Sequence, residues 1–394
     1  MPVAAFVVGV VATAVACSAS SPGPVAVTWT RPDAAGFAAA DLTAALAGRG
    51  PDPWLVGGSS GGAVAVWWAP AAPGPWHRAT FRAVTNDGPL DTILGLARTG
   101  GVTVALGSHA SPIHGIPRPS PWTSDDGGRS WSEVPTLREL FGGENIVGLG
   151  ALSSGPHGFF VAGTWVAADD RSVATVWQSP DGGRWVRNDH DAALAGAPGE
   201  LTMAEAVGDG VHGLVTVGSA LVPTPATPAA QRGALWESAD GAAWIRLDAG
   251  AASLGDGPGQ VQVERVVPTA AGWAAAGVRA RDGRSDVVVW TWRPGRAPAV
   301  TTLPASATSG ALAVGGLAAT SSSVMVAAVA GGVPKLWLAP LGGDGRPGRW
   351  RPVDPPPGPA PPGLRAVALA FDGTTVAAVL RGATSSQLWV AALP

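Results

Sequence analysis

Tryptophan recurs in this chain at an interval that leaves few folds open. Trp67, Trp122, Trp177, Trp236, Trp290, Trp337 and Trp389 each lie in a short apolar run, and successive members stand 47 to 59 residues apart. Two further runs precede each of them, the second ending in glycine as in Phe159-Phe160-Val161-Ala162-Gly163. A turn and a fourth run follow, starting at Trp76, Trp131, Trp185, Trp244 or Trp350; the fifth unit has Val300-Thr301-Thr302-Leu303 in that place. Four short strands at such a period predict a β-propeller blade. The seventh unit stops one strand short at Pro394, while Val25-Ala26-Val27-Thr28-Trp29-Thr30-Arg31 reads as a spare fourth strand. Pairing the two ends closes the ring and leaves no bare edge. The expectation is an all-β, seven-bladed β-propeller of four-stranded antiparallel blades over residues 25–394.

A β-solenoid would need shorter repeats. Two domains would need a linker, and the only proline-rich run, 354–362, falls between two units. A repeat fold also explains how 394 residues build one unit beyond the size at which single cores stop growing.

The turn between the third and fourth runs is the best-formed motif. Ser124-Asp125-Asp126-Gly127-Gly128-Arg129-Ser130-Trp131 has shortened copies at Ser179-Pro180-Asp181-Gly182-Gly183-Arg184-Trp185 and Ser238-Ala239-Asp240-Gly241-Ala242-Ala243-Trp244. Glycine supplies the positive φ of a tight hairpin, and aspartate caps its amides. Ser124, Asp126, Gly128 and Trp131 match the serine-x-aspartate-x-glycine-x-x-tryptophan spacing of the Asp-box, or BNR repeat, and the copies resemble it less one residue. The chain thus resembles the propellers of sialidases and sortilin-type receptors, and exported actinobacterial lipoprotein propellers of unassigned function. The resemblance implies a structural box, with its Trp packed between blades, on the face away from the ligand. The sialidase mechanism is excluded because the chain contains no tyrosine for the nucleophile.

Residues 3–16 are apolar and small and end at Cys17, the only cysteine. Such a run is too short to span a bilayer and fits a signal-peptide core. Ala14-Val15-Ala16-Cys17 resembles a lipobox, although no Lys or Arg precedes the run. The expected organisation is a signal peptide at 1–16, a lipoprotein tether at 17–24 and a lipid on Cys17. A plain signal peptide is the alternative. One cysteine permits no intrachain disulfide, and a net charge of −3 without a basic block gives nucleic-acid binding no support.

Chemistry is sparse. Gly57-Gly58-Ser59-Ser60-Gly61 has the nucleophile-elbow spacing but lacks the helix that motif requires, and reads as a turn between strands. Asp91, Glu144, Glu205 and Glu264 stand near the starts of successive first strands, which line a propeller channel. Asp189, His190 and Asp191 share one loop and His109 and His114 another, without a metal-ligand spacing. Loops of variable length gather between second and third strands (109–121, 166–172, 222–232, 279–285) and between blades (87–91, 137–145, 188–200, 248–260), all on the face opposite the Asp-boxes. The resulting expectation is an exported, lipid-anchored, monomeric and non-enzymatic module that binds a protein or glycan through that face, with no cofactor and no metal. The alternatives are a polysaccharide-directed glycoside hydrolase or lyase and an envelope-complex assembly factor.

Overall fold

The chain folds into seven antiparallel sheets arranged as a β-propeller in a computed structural model that describes residues 23–33, 36–37, 40–110, 117–188, 190–222, 230–247, 254 and 259–394. Within each blade the strands follow chain order from the central channel to the rim. The third blade, for example, runs Ile146–Gly155, Gly158–Val166, Ser172–Ser179 and Val186–Asn188. The seventh blade supplies only Ala366–Phe371, Thr375–Arg381 and Ser386–Ala392. Its outer strand comes from the other end of the chain, where Trp29 pairs with Ala391 and Thr30 with Val390. The expected closure is therefore present. It also reaches one blade further, because Val25 donates its amide to Pro352 at 2.7 Å in the sixth blade and accepts one from Asp354 at 3.1 Å.

The core lies between blades. Seven buried clusters form, and each joins two neighbouring sheets, as where Phe160, Ala162 and Val176 of the third blade meet Val207, Trp236 and Trp244 of the fourth. This explains the tryptophan period. Six of the seven third-strand tryptophans are fully buried, and Trp177, Trp236 and Trp337 each donate Nε1 to a carbonyl in the segment leading into their blade. Trp389 is half-buried and bonds Gln387 instead. The fourth-strand tryptophans Trp76, Trp131, Trp185, Trp244 and Trp350 are also buried.

One strand departs from the four-strand pattern. After His77–Arg78 completes the first blade, Thr80–Arg82 crosses to the second and pairs in parallel with Ser130–Glu133. The crossing seats Phe81 against Trp122 and Trp131, with centroids 5.2 and 6.3 Å away, a large apolar gain from one residue.

The third-to-fourth turns are built as hairpin clasps. Asp126 Oδ1 accepts the amides of Arg129 and Ser130 at 2.9 Å and the Ser124 hydroxyl at 2.8 Å; Ser130 Oγ donates to Oδ2 at 2.6 Å. Burial acts to raise the Asp126 pKa, but these bonds outweigh it and hold the carboxyl at about 2. Ser124 Oγ accepts from Gly128, and Trp131 Nε1 donates back to the Gly128 carbonyl. The copies repeat the core of this: Ser179 accepts from Gly182 and Asp181 from Gly183 and Arg184, while Ser238 accepts from Gly241 and Asp240 from Ala242. Gly128 and Gly182 have positive φ, and a Cβ at Gly128 would lie 2.7 Å from Leu55 of the preceding blade. Replacing Asp126 by Ala is expected to cost about 1–3 kcal/mol in urea unfolding, for several charge-assisted bonds in a half-exposed turn.

Candidate functional site

A β-bulge at an equivalent place in six inner strands shapes the channel. Pairing between the first and second strands slips after Leu42, Ile93, Leu149, Ala204, Val263 and Val314, and runs without a slip in the seventh blade. A bulge inserts an extra residue and re-aims the side chains beside it. In five of these six blades a second-strand glycine stands opposite the slip, and the sixth has Ala328 there. A Cβ at Gly58, Gly163, Gly218 or Gly277 would stand only 1.9 to 2.6 Å from the carbonyl oxygen of Asp41, Gly148, Met203 or Gln262. The bulged residue then reaches toward the next blade: Thr43 Oγ1 donates to the Ile93 carbonyl, and Glu264 accepts the Val314 amide.

These inner strands enclose a cavity of about 1200 Å³. Its wall runs from the bulges to the hairpins between first and second strands. It therefore lies toward the Ser124–Trp131 side of the ring and away from the inter-blade loops. The wall is two-sided. Thr43, Leu94, Gly95, Gly315 and Ala368 make a small or apolar arc, and Glu205 and Arg265 supply charge on the fourth and fifth blades. Gln262 Nε2 donates to Glu205 Oε1 at 3.3 Å. Arg265 is tied down through Nε to the Gly315 carbonyl at 3.3 Å and through Nη1 to the Glu264 carbonyl at 2.6 Å.

Burial pushes the Glu205 carboxyl above its ordinary range, against the Arg265 charge and the Gln262 bond. Burial likewise lifts Glu264 to about 7, with the Val314 amide and Arg265 opposing and the Glu205 charge adding to the rise. The two carboxyls sense one another, and both hold protons more firmly than a solvated glutamate. Nearer the hairpins, Arg98 pairs with Asp52 at 3.8 Å. Asp209, fully buried at its side chain, accepts His157 through the backbone amide and Nδ1, both at 2.7 Å.

The sequence-derived candidates separate on this frame. Glu205 lines the cavity, and Glu264 lies buried beside it, turned into the joint with the sixth blade. Asp91 is fully buried within the second blade and accepts Trp122 Nε1 at 3.0 Å, and Glu144 is exposed in the loop before Ile146–Gly155. Neither lines the cavity. Asp191 caps the short helix Ala192–Ala195 by accepting Ala193 and Leu194, and also takes the Trp244 amide at 2.9 Å. His190 is exposed, and His109 is half-buried and registered opposite Arg118. Cys17, His114 and Asp189 lie outside the described residues. Among the described residues no group of three His, Cys, Asp or Glu side chains is placed to hold a metal. Gly57–Ser60 ends a strand that turns directly into the next one, so no nucleophile elbow forms. Arg265, Gln262 and the His157–Asp209 pair were not singled out from sequence. The recurrent second-strand glycine was the available signal, since it marks the bulge that rotates Arg265 toward the channel.

Asp91 carries a consequence for stability. Burial raises it from 3.8 to about 7, with Trp122 and Ser120 opposing and the Glu133 and Asp87 charges adding. A carboxyl raised on folding contributes stability in full below its unfolded pKa and loses it as pH climbs toward the folded value. Between about pH 4 and pH 8 the wild type should therefore lose on the order of 3–4 kcal/mol through this group alone. Asp91→Asn, compared with wild type by urea unfolding at both pH values, is expected to be more stable at the higher pH and close to wild type at the lower.

No protein-family profile and no curated protein sequence matches this chain. Solved structures do. The polysaccharide lyase Uly1 superposes with a TM-score of 0.51 at 10% identity, over 89% of each chain. An α-L-arabinofuranosidase from Fusarium graminearum bound to an iminosugar inhibitor gives 0.48 at 13% identity, over 76% of this chain and 92% of that one. An α-L-arabinanase from Penicillium chrysogenum bound to arabinobiose gives 0.45 at 12% identity, over 76% and 93%. At these identities the likeness is one of fold. The expectation of a non-enzymatic binding or scaffolding module is not what this likeness favours: a propeller that shares the fold over 89% of each chain is a polysaccharide lyase. The expectation that the chain is not an enzyme is withdrawn with it.

Proposed function

We propose that this chain is a polysaccharide-directed enzyme, a glycoside hydrolase or lyase, that works in the central channel with Glu205 as its acid–base group. The observation that carries the reading is the channel wall at the bulges. There a partly solvated carboxyl of raised pKa stands beside a fixed arginine, facing an arc of small and apolar residues. Such a wall suits a sugar, which needs polar contacts on one side and tolerates apolar packing against its C–H face. A carboxyl whose pKa is raised by burial is suited to general acid–base work. Glu264 does not line the cavity, and the Glu205 charge adds to the rise of its own pKa. The fold likeness to a polysaccharide lyase supports the class.

The three clasp turns fit Asp-box repeats, supported by the bonding of Ser124, Asp126 and Trp131, and serve the fold. Residues 1–24 are read as an export signal and tether with Cys17 as the lipid site, supported by the apolar run alone. Mass spectrometry finding an unmodified chain that begins at Met1 would remove this part. The enzymatic reading is tested by incubating the protein with neutral and acidic polysaccharides and following polymer size by gel filtration. Shortening of at least one polymer is expected; no shortening of any would refute it.

A further inference from the structure

Hydrolysis and elimination ask for different walls. A hydrolase of the usual carboxylate type sets two carboxyls on opposite sides of the scissile bond, one near the leaving oxygen and one near the opposite face of the ring. The described channel does not offer that. Its acidic lining residues are Asp52, Glu205 and Asp209, and two of them are engaged at the hairpin end, Asp52 with Arg98 and Asp209 with His157. Opposite Glu205, at the level of the bulges, stand Thr43, Leu94, Gly95 and Ala368, none of which titrates as an acid. Asp209 lies four residues further along the same strand as Glu205, about 13 Å away at the rise of an extended chain. At the bulge level the channel thus holds one carboxyl and one guanidinium, on adjacent blades. The bonds fixing Arg265 use Nε and Nη1, leaving Nη2 for a ligand.

We propose that the channel takes a uronate-bearing polysaccharide, with Arg265 on the sugar carboxylate and Glu205 as the base of a β-elimination. This rests on the enzymatic reading above. Glu205 removes the proton α to the sugar carboxylate, at C5. That C–H electron pair becomes the C4=C5 double bond as the C4–O bond breaks, and the leaving oxygen takes the proton back from Glu205. Atoms and electrons balance with no added reactant, and one carboxyl serves as base and then acid. Arg265 stabilises the charge that builds on the sugar carboxylate as the C5 proton leaves, which is when a fixed donor counts most. Burial raises the Glu205 pKa, so activity should climb as pH rises through the range in which Glu205 ionises.

The test uses the full mature protein on polygalacturonate and alginate, their methyl esters, and neutral arabinan. Two readouts run together, the ultraviolet absorbance of the unsaturated product and the reducing ends released. We expect absorbance and reducing ends to rise together on at least one free-acid polymer and neither to rise on arabinan. Arg265→Ala should lower cleavage of the free acid by about 10²–10³-fold, the usual cost of losing one donor to a developing charge, and should affect the ester far less. Urea unfolding of the variant checks that its fold is intact. Reducing ends without absorbance, or cleavage of arabinan alone, would overturn the elimination and leave the enzymatic reading standing. No cleavage of any polymer would overturn both. An equal loss on acid and ester would show that Arg265 serves the wall and not the sugar carboxylate.

Discussion

Removal of residues 25–31 is expected to abolish the single cooperative unfolding transition of the ring. The segment gives the seventh blade its outer strand, and without it Ser386–Ala392 becomes an open edge. Trp29 is 8% exposed within the cluster that joins the sixth and seventh blades, and its Nε1 donates to the Asp354 carbonyl at 2.7 Å. Val25 is buried in the same cluster and stitches the sixth blade by two backbone bonds. Truncating one buried tryptophan alone costs about 3–5 kcal/mol, a large share of the stability of most domains. The deletion removes that side chain, a second buried one and a strand together. Calorimetry should show a much lower or absent transition, with oligomers on gel filtration. Trp29→Ala, which keeps the strand, should fall between the deletion and wild type. A deletion that unfolds at the wild-type temperature would show that the ends do not hold the ring.

Glu205→Gln is expected to lower polysaccharide cleavage by about 10²–10⁴-fold, the usual contribution of a positioned acid–base group, with little change in substrate affinity. The amide is nearly isosteric and keeps a carbonyl oxygen for Gln262, so the fold should survive. Stability should rise slightly at alkaline pH, because a buried charge is removed. Glu264→Gln is a different case. It leaves the Val314 amide an oxygen and removes a buried carboxyl that the Glu205 charge helps raise, while the rise of Glu205 itself comes from burial. Cleavage should therefore persist with a rate–pH profile close to wild type, and a profile moved to lower pH would show that Glu264 raises Glu205.

The blade count, the strand order and the exchange of chain ends were legible because they rest on spacing. Six of the seven blades bury their third-strand tryptophan against a neighbour, so the period of the fold is printed in the sequence. The channel was legible only in part, and the bulge is the reason. Strict alternation along Gln260–Thr269 would place Glu264 and Arg265 on opposite faces with no means of choosing between them. The slip after Val263 settles the choice by turning Arg265 to the cavity and Glu264 into the joint with the sixth blade. Asp91 misleads for a similar reason. It stands where a channel carboxyl would stand, yet its backbone enters the blade one residue before Thr92–Thr99 begins, and its side chain turns to Trp122. Asp191 is explained by its neighbours in chain order, since an aspartate before Ala-Ala-Leu-Ala caps a helix, but a helix of four residues leaves no periodic trace. Pairs such as His157 with Asp209 and Glu200 with Arg246 link positions about a blade apart or less, and many residues share such spacings.

The most direct measurement follows one acidic polysaccharide that the wild type shortens, by gel filtration, with wild type, Glu205→Gln and Asp126→Ala in parallel. The account predicts that Glu205→Gln leaves the polymer intact while unfolding like wild type, and that Asp126→Ala cleaves at the wild-type rate despite its lower stability. Full cleavage by Glu205→Gln would contradict it and move the chemistry out of the channel.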